Sequence, residues 1–417
     1  MSLSQEFADK LAAEYGTPLF VYDLDEVEAA RDELLGALPE EFELFFAVKA
    51  NSHVELLRAL RGTPGHGCRT EISSTGELSV SIAAGHDPAL TLYTGPGKTR
   101  GELDTAIAAG VRMFSVESLT DLEHIGAAAQ RHGVVAQALL RINHVAASAT
   151  TSIRMTGTPS QFGIDSETLG ELMPRLRAVP GTELAGLHFF PLSNARDEES
   201  LIGEFQHTLS VAAELCAEHD LPLRFLDIGG GFSVPYAVPG PRASYPKLRA
   251  ELAAALDVHF PDWREGSPRI ACESGRYLVG ASGTLITRVV NIKESRGRGF
   301  VIADAGINTF GGMSGLGRLL PVAVQPDTEA THRASLVGPL CTPGDVLGRE
   351  IALPDLEIGD TVAIPNAGAY GPTASLLMFL GRPAPTEVVI RGTEVLSVSR
   401  IEHERTWSVG EGPRVRM

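Results

Sequence analysis

Leu44-Phe45-Phe46-Ala47-Val48-Lys49-Ala50-Asn51 is a short apolar run that ends at a lysine, and the helix-like stretch His53 to Leu60 follows at once. An aromatic-rich run too short to be a helix reads as a buried strand. The same unit recurs. Candidate strands lie at Leu44 to Val48, Thr70 to Ser73, Leu90 to Tyr93, Arg112 to Ser115, Gln137 to Ile142, Leu184 to Phe189, Arg224 to Ile228 and Arg269 to Cys272. Between them, His53 to Leu60, Leu78 to Ala84, Glu102 to Ala109, Ser118 to Gln130 and Glu199 to His219 carry apolar residues at helical spacing. Strand and helix alternating through eight units predict an α/β fold, a (β/α)8 TIM barrel, with an open doubly wound sheet as the alternative.

After about Leu278 the texture changes to β-rich segments broken by Gly and Pro: Gly283 to Lys293, Gly299 to Asp304, Ala334 to Val337, Thr361 to Pro365 and Glu387 to Ile390. The strand-like Pro18 to Tyr22 precedes the barrel and is free to pair with this later region. The predicted organisation is a barrel over 26–279 and a mostly β domain from 1–25 and 280–417.

Charge narrows the function classes. With 52 acidic against 35 basic residues the formal charge is −17, which repels phosphate backbones and anionic lipid and argues against nucleic-acid and membrane partners. No signal-peptide pattern or membrane-length apolar run is read, so the expected location is cytoplasmic. Cys68, Cys216, Cys272 and Cys341 form no CxxC pair or Cys/His cluster, so neither a disulfide framework nor a metal site is expected.

In a parallel barrel the C-terminal strand ends converge on one mouth. Here they carry Lys49, Arg141 with Asn143, His188 to Ser193, Gly229 to Phe232, and Glu273 to Arg276. Each has an ordinary reading: a solvated lysine, a tight glycine turn, a rim ion pair between Glu273 and Arg276. Together they suit one ligand. Glycine amides with Arg276 fit a phosphate dianion, a carboxylate at Glu273 fits a protonated pyridine nitrogen, and Lys49, its amine made neutral by burial, fits an aldehyde. That ligand is pyridoxal 5'-phosphate.

The sequence resembles the fold-type III pyridoxal-phosphate decarboxylases, which include diaminopimelate, ornithine and arginine decarboxylases and share the alanine racemase-like barrel. The resemblance rests on Phe46 to Asn51, Ser74-Thr75-Gly76-Glu77-Leu78, Ser160-Gln161-Phe162-Gly163-Ile164, Asp227 to Phe232, Glu273 to Arg276, Val337-Gly338-Pro339-Leu340-Cys341 and Gly368-Ala369-Tyr370-Gly371, in family order. It implies a homodimer with two shared active sites. It further implies that Lys49 forms the internal aldimine, that Glu273 pairs with the pyridine nitrogen and that Arg141 lies in the polar network beside it. Gly230, Gly231, Gly275, Arg276 and Tyr370 surround the phosphate, with Ser193 as a further candidate. By the same resemblance Cys341 would come from the partner subunit and is the first choice of general acid for the quinonoid left when carbon dioxide departs, with the freed Lys49 ammonium as the alternative.

Departures from the family pattern bear on substrate. Phe190 stands where the family places a ring-stacking histidine, and Leu192 where it places glycine; Phe190 offers a π face but no donor, and His188, two residues earlier, is a possible substitute. Relatives that act on basic or diamino substrates place an acid after the cysteine, whereas this chain reads Thr342-Pro343-Gly344-Asp345. Diaminopimelate enzymes carry an arginine after the segment matching Asp304-Ala305-Gly306, where this chain reads Ile307 to Gly312. Arg276, Thr342, Asp345 and Tyr370 are the candidate substrate contacts, with Asp345 read either as a distal-amine site or as an interface ion pair. The wording around Cys341 and from Gly368 to Gly381 resembles branches of secondary metabolism that decarboxylate siderophore intermediates or carrier-protein-tethered amino acids. An amino-acid racemase, a small cofactor-carrier protein and a catalytically silent regulatory homologue are the alternatives.

Overall fold

The computed structural model describes residues 3–63, 65–144, 151–154, 159–311, 323–407 and 415–416. The chain divides into two compact units: Glu28–Ser233 with Ala243–Leu278, and Met1–Val27 with Val234–Arg242 and Val279–Met417.

The first unit is a closed barrel. Its eight parallel strands are Glu43–Ala47, Arg69–Ile72, Leu92–Tyr93, Met113–Val116, Ala136–Asn143, Thr182–His188, Phe225–Asp227 and Arg269–Ser274, and the last pairs back onto the first. Each lies within two residues of its expected position, because each is an apolar run bounded by helix caps or turns. Ser74, Thr99 and Ser118 cap the N-termini of Thr75–Ala83, Arg100–Ala109 and Leu119–Arg131, each accepting a backbone N–H in the first turn. Phe45, Leu92, Met113, Leu139, Ala185, Phe225 and Ala271, from seven of the strands, pack into one buried cluster. The Phe45 and Phe225 rings meet edge to face at 6.2 Å. The barrel is therefore filled rather than hollow, and polar chemistry is left to its C-terminal mouth.

The second unit is mostly β. Leu19–Asp23 pairs antiparallel with Gly283–Ser295 and parallel with Thr386–Arg391, so the strand-like opening segment does join the later sheet. Helix Gln5–Tyr15 covers that sheet, burying Ala8, Leu11 and Ala12 against Leu19, Val21, Ile286, Val388 and Ile390. Val234–Arg242 lies with this unit although the chain on both sides belongs to the barrel. Asn366 Nδ2 ties it in, donating to the carbonyls of Val238 and Gly240. Among the described residues no helix is long and apolar enough to cross a membrane.

Candidate active site

Lys49 sits in the single turn Val48–Ala50 that closes the first barrel strand. Its ammonium is 3.1 Å from Glu71 Oε2, and its side chain is 42% exposed while Glu71 is buried. The sequence argument for a neutral amine rested on desolvation, and the geometry corrects it. Lys49 is open to the mouth and ion-paired, and Glu71 is the base within reach of its proton. Glu71 is fixed in turn by the Thr94 hydroxyl, which donates to Oε1. Phe190 lies beside the pair, with Lys49 Nζ 5.4 Å from its ring centroid, a cation–π contact.

Glu273 ends the eighth strand fully buried. Burial alone pushes its carboxyl up, but His188, Lys49 and Arg141 together outweigh that and hold it below the ordinary carboxylate range. His188 Nε2 lies 3.1 Å from Glu273 Oε1, a short contact not aligned as a hydrogen bond, while Nδ1 lies 2.7 Å from Ser115 Oγ. His188 thus reaches Glu273 rather than taking the place of Phe190. An ionised carboxylate with one buried oxygen still lacking an aligned donor suits the N–H of a pyridinium ring.

The glycine turn follows the seventh strand. Gly231 has φ +128°, and a Cβ there would sit 2.3 Å from Leu192 Cδ1; a Cβ on Gly230 would sit 2.3 Å from the Glu273 carbonyl oxygen. No backbone carbonyl of the described residues accepts from the N–H of Gly230 or Gly231. Arg276 opens the short helix Arg276–Val279 directly after Gly275. Glycine amides without a backbone acceptor are of the kind that receive a phosphate. Ser193 is half-buried in the strand Leu192–Ala195.

Arg141 is held from both sides. Its Nη1 donates to Glu117 Oε1 at 2.9 Å, and its guanidinium lies 4.8 Å from the Phe162 ring centroid and 5.9 Å from that of Phe190. Glu117 Oε2 also accepts the N–H of Gly163 at 2.7 Å, so one buried carboxylate ties the Ser160 to Ile164 segment to Arg141. Behind it, the Lys98 and Asp121 ion pair at 2.8 Å anchors the Glu117 backbone through Asp121 Oδ2.

The remaining candidates belong to the second unit. Cys341 is exposed. Tyr370 has φ +53°, a left-handed conformation uncommon outside glycine, and its carbonyl accepts from Tyr236 Oη at 3.4 Å. Thr342 is half-buried. Asp345 requires correction as a substrate contact. It is buried, Oδ1 accepts the N–H of Ile307 at 2.8 Å and Oδ2 that of Leu340 at 2.6 Å, so both oxygens serve the loops around Gly306 and Gly338. Gly312, the last residue of the stretch read for an arginine, lies outside the described residues.

Sequence reasoning missed Glu71, Thr94, Ser115, Glu117 and a role for Asp227. One signal was available: Glu71 and Asp227 are acids inside apolar strands, where an unpaired charge is costly.

Residues 24–280 match the family model described as pyridoxal-dependent decarboxylase, pyridoxal binding domain. The chain is 30% identical over 404 residues to the L-glutamyl-[BtrI acyl-carrier protein] decarboxylase of Niallia circulans, covering 94% of this chain and 92% of that one. It is 32% identical over 389 residues to the diaminopimelate decarboxylase of Archaeoglobus fulgidus, covering 92% and 90%. With the 2-[(L-alanin-3-ylcarbamoyl)methyl]-2-hydroxybutanedioate decarboxylase of Staphylococcus aureus the identity is 28%, covering 90% and 94%. Among solved structures, the diaminopimelate decarboxylase of Helicobacter pylori complexed with L-lysine is similar at a TM-score of 0.78 and 28% identity, covering 94% and 95%. A barrel whose mouth gathers Lys49, Glu273 and the glycine turn, with a family match across that barrel, places this chain in the pyridoxal-dependent decarboxylases, enzymes that use pyridoxal 5'-phosphate as carboxy-lyases.

Proposed function

We propose that this decarboxylase removes the α-carboxylate of an amino-acid conjugate in secondary metabolism, either tethered to a carrier protein or joined to a polycarboxylate, rather than that of free diaminopimelate or ornithine. The observation that carries the reading is Asp345. In Thr342-Pro343-Gly344-Asp345 it is the acid nearest Cys341, and both of its oxygens are taken by backbone amides. A site built to read a distal ammonium presents an uncommitted carboxylate, and one without it gains little from a diamino substrate. Two relatives point the same way, since one is named for a carrier-protein-bound glutamyl substrate and another for a carbamoyl-linked hydroxybutanedioate.

Pyridoxal phosphate, when bound, supplies the electron sink for the bond between Cα and the carboxylate. Lys49 is the residue we assign to hold its aldehyde carbon, with Glu71 beside it to exchange the amine proton. Glu273, kept ionised by His188, would hold the ring nitrogen protonated, and Gly230, Gly231, Gly275, Arg276 and Ser193 would receive the phosphate. We assign the barrel over 26–279 to cofactor binding. Arg141, pinned by Glu117 and flanked by Phe162 and Phe190, keeps a positive charge beside Glu273. We assign reprotonation at Cα to Cys341, supplied across a homodimer so that each active site is shared, with Thr342 and Tyr370 on the substrate side.

Carbon dioxide release from cofactor-loaded enzyme tests the substrate class. The panel contains diaminopimelate, ornithine, lysine, arginine and free glutamate, against glutamyl thioester on a carrier protein and a citrate-linked diaminopropionate. Turnover confined to the conjugates is the expected result. Efficient release from diaminopimelate or ornithine would overturn the reading.

A further inference from the structure

Three charged pairs gather at the barrel mouth, and one buried acid beside them lacks a partner for one of its oxygens. Lys49 lies against Glu71, Arg141 against Glu117, and Glu273 against the imidazole of His188. Asp227, at the end of the seventh strand, is wholly buried. Its Oδ1 accepts the N–H of Gly229 at 2.9 Å, and its Oδ2 has no hydrogen-bond partner among the described residues. The charged and titratable groups facing it are Glu273 and the Cys272 thiol on the eighth strand, Glu71 on the second, Arg141 on the fifth and His188 on the sixth. His188, Asp227 and Glu273 each turn a polar atom into a space where the three lie within 4.8 Å of one another. Two carboxyl groups this close in a buried space repel each other, and the one better supplied with cations is the one that stays ionised.

We propose that Asp227 is a neutral, proton-holding acid whose Oδ2–H group faces the Glu273 and His188 pair and leaves Glu273 as the one carboxylate of the cluster. Asp227 is then a positioning residue that acts through Glu273. The asymmetry has a structural cause. Glu273 has His188, Lys49 and Arg141 on its side, whereas Asp227 has one backbone amide and a lesser attraction to Arg141 against the repulsion of Glu273 and Glu71. Accordingly burial, and then the Glu273 charge, push the Asp227 carboxyl well above its ordinary value, while Glu273 stays below its own. The arrangement keeps the negative charge on the residue whose buried oxygen still lacks an aligned donor. Because the other Asp227 oxygen holds Gly229, it also couples that protonation state to the glycine turn.

Infrared spectra of the cofactor-loaded enzyme at about pH 7 test the assignment directly. Wild type is expected to show a protonated-carboxyl stretch that shifts with carbon-13 aspartate labelling and is missing from Asp227→Asn. The asparagine amide can accept from Gly229 and donate to Glu273, so cofactor affinity should stay near that of wild type. Asp227→Ala removes the bond to Gly229 and the polar group facing Glu273, and should weaken affinity roughly tenfold, about the loss of one buried hydrogen bond. A wild-type spectrum without the labelled acid band would overturn the proposal, as would a tenfold loss of affinity in a folded Asp227→Asn. So would a stoichiometric divalent metal in the purified protein released by His188→Ala, because metal ligation needs both carboxylates ionised. If Asp227→Asn fails to fold, the labelled band is compared between wild type and Asp227→Ala, and its persistence in Asp227→Ala would overturn the proposal.

Discussion

Asp345 and Glu117 show how one residue type can be misjudged in opposite directions. Asp345 stands four positions after the thiol assigned to catalysis and looks like a ligand, yet its carboxylate is spent on the backbone of Ile307 and Leu340. Glu117 carries no motif, yet it holds Arg141 and Gly163 together. The partners of Glu117 lie 24 and 46 positions along the chain, and no local pattern in a single sequence announces pairs at that range. Lys49 and Glu273 were legible because strand ends converge by the rule of the fold; Glu71, equally close to the chemistry, was hidden because an acid in a short strand also reads as solvated. At this scale the proton donor can be tested. Cys341→Ala is expected to bind pyridoxal phosphate as wild type does but to misplace the proton, so that mass spectrometry finds aldehyde product and pyridoxamine phosphate accumulating. Undiminished turnover to a clean amine would remove Cys341 from the mechanism.

Among the elements, the eight barrel strands were readable because buried parallel strands are near-continuous apolar runs. Helix Leu24–Ala37 and strand Val346–Leu353 were not; the strand mixes Arg349 and Glu350 into its apolar residues. The excursion of Val234–Arg242 into the second unit had no local signal either, because it depends on a carboxamide at Asn366, more than a hundred residues away. The glycine turn after Asp227 is an element with little tolerance. Gly230→Ala places a methyl group 2.3 Å from the Glu273 carbonyl. Relief requires the eighth strand to move at a cost of roughly 1–3 kcal/mol. Calorimetry should show a melting temperature lowered by several degrees, and cofactor titration a weakened affinity, because Glu273 moves with its backbone.

Strand Thr386–Arg391 carries a buried acid of its own. Glu387 accepts the Tyr22 hydroxyl at 3.1 Å, and burial raises its carboxyl from 4.5 to about 7. Between those values the folded protein holds a proton that the unfolded chain releases. The contribution of this group is therefore fully present below 4.5 and is lost as pH rises through 7. Glu387→Gln keeps the acceptor and cannot ionise. Its melting temperature should match wild type at acidic pH and exceed it above about pH 8, by an amount corresponding to at most about 3 kcal/mol. Parallel melting curves at both ends of the range would show that Glu387 is solvated in the folded protein.

For the whole molecule, composition argues against classes of partner more readily than it identifies a substrate. A formal charge of −17 disfavours polyanions, but it does not separate diaminopimelate from a tethered glutamyl group. The family could be read from residue order along the chain, whereas the substrate depends on which charges are already satisfied, and that requires the fold. All of the proposed chemistry depends on Lys49 as the point of cofactor attachment. Borohydride reduction of the pyridoxal phosphate-loaded enzyme, followed by peptide mass spectrometry, should find a single phosphopyridoxyl group on Lys49 and none in Lys49→Ala. A reduced adduct on another lysine of the barrel, or no adduct in cofactor-saturated protein, would contradict the account.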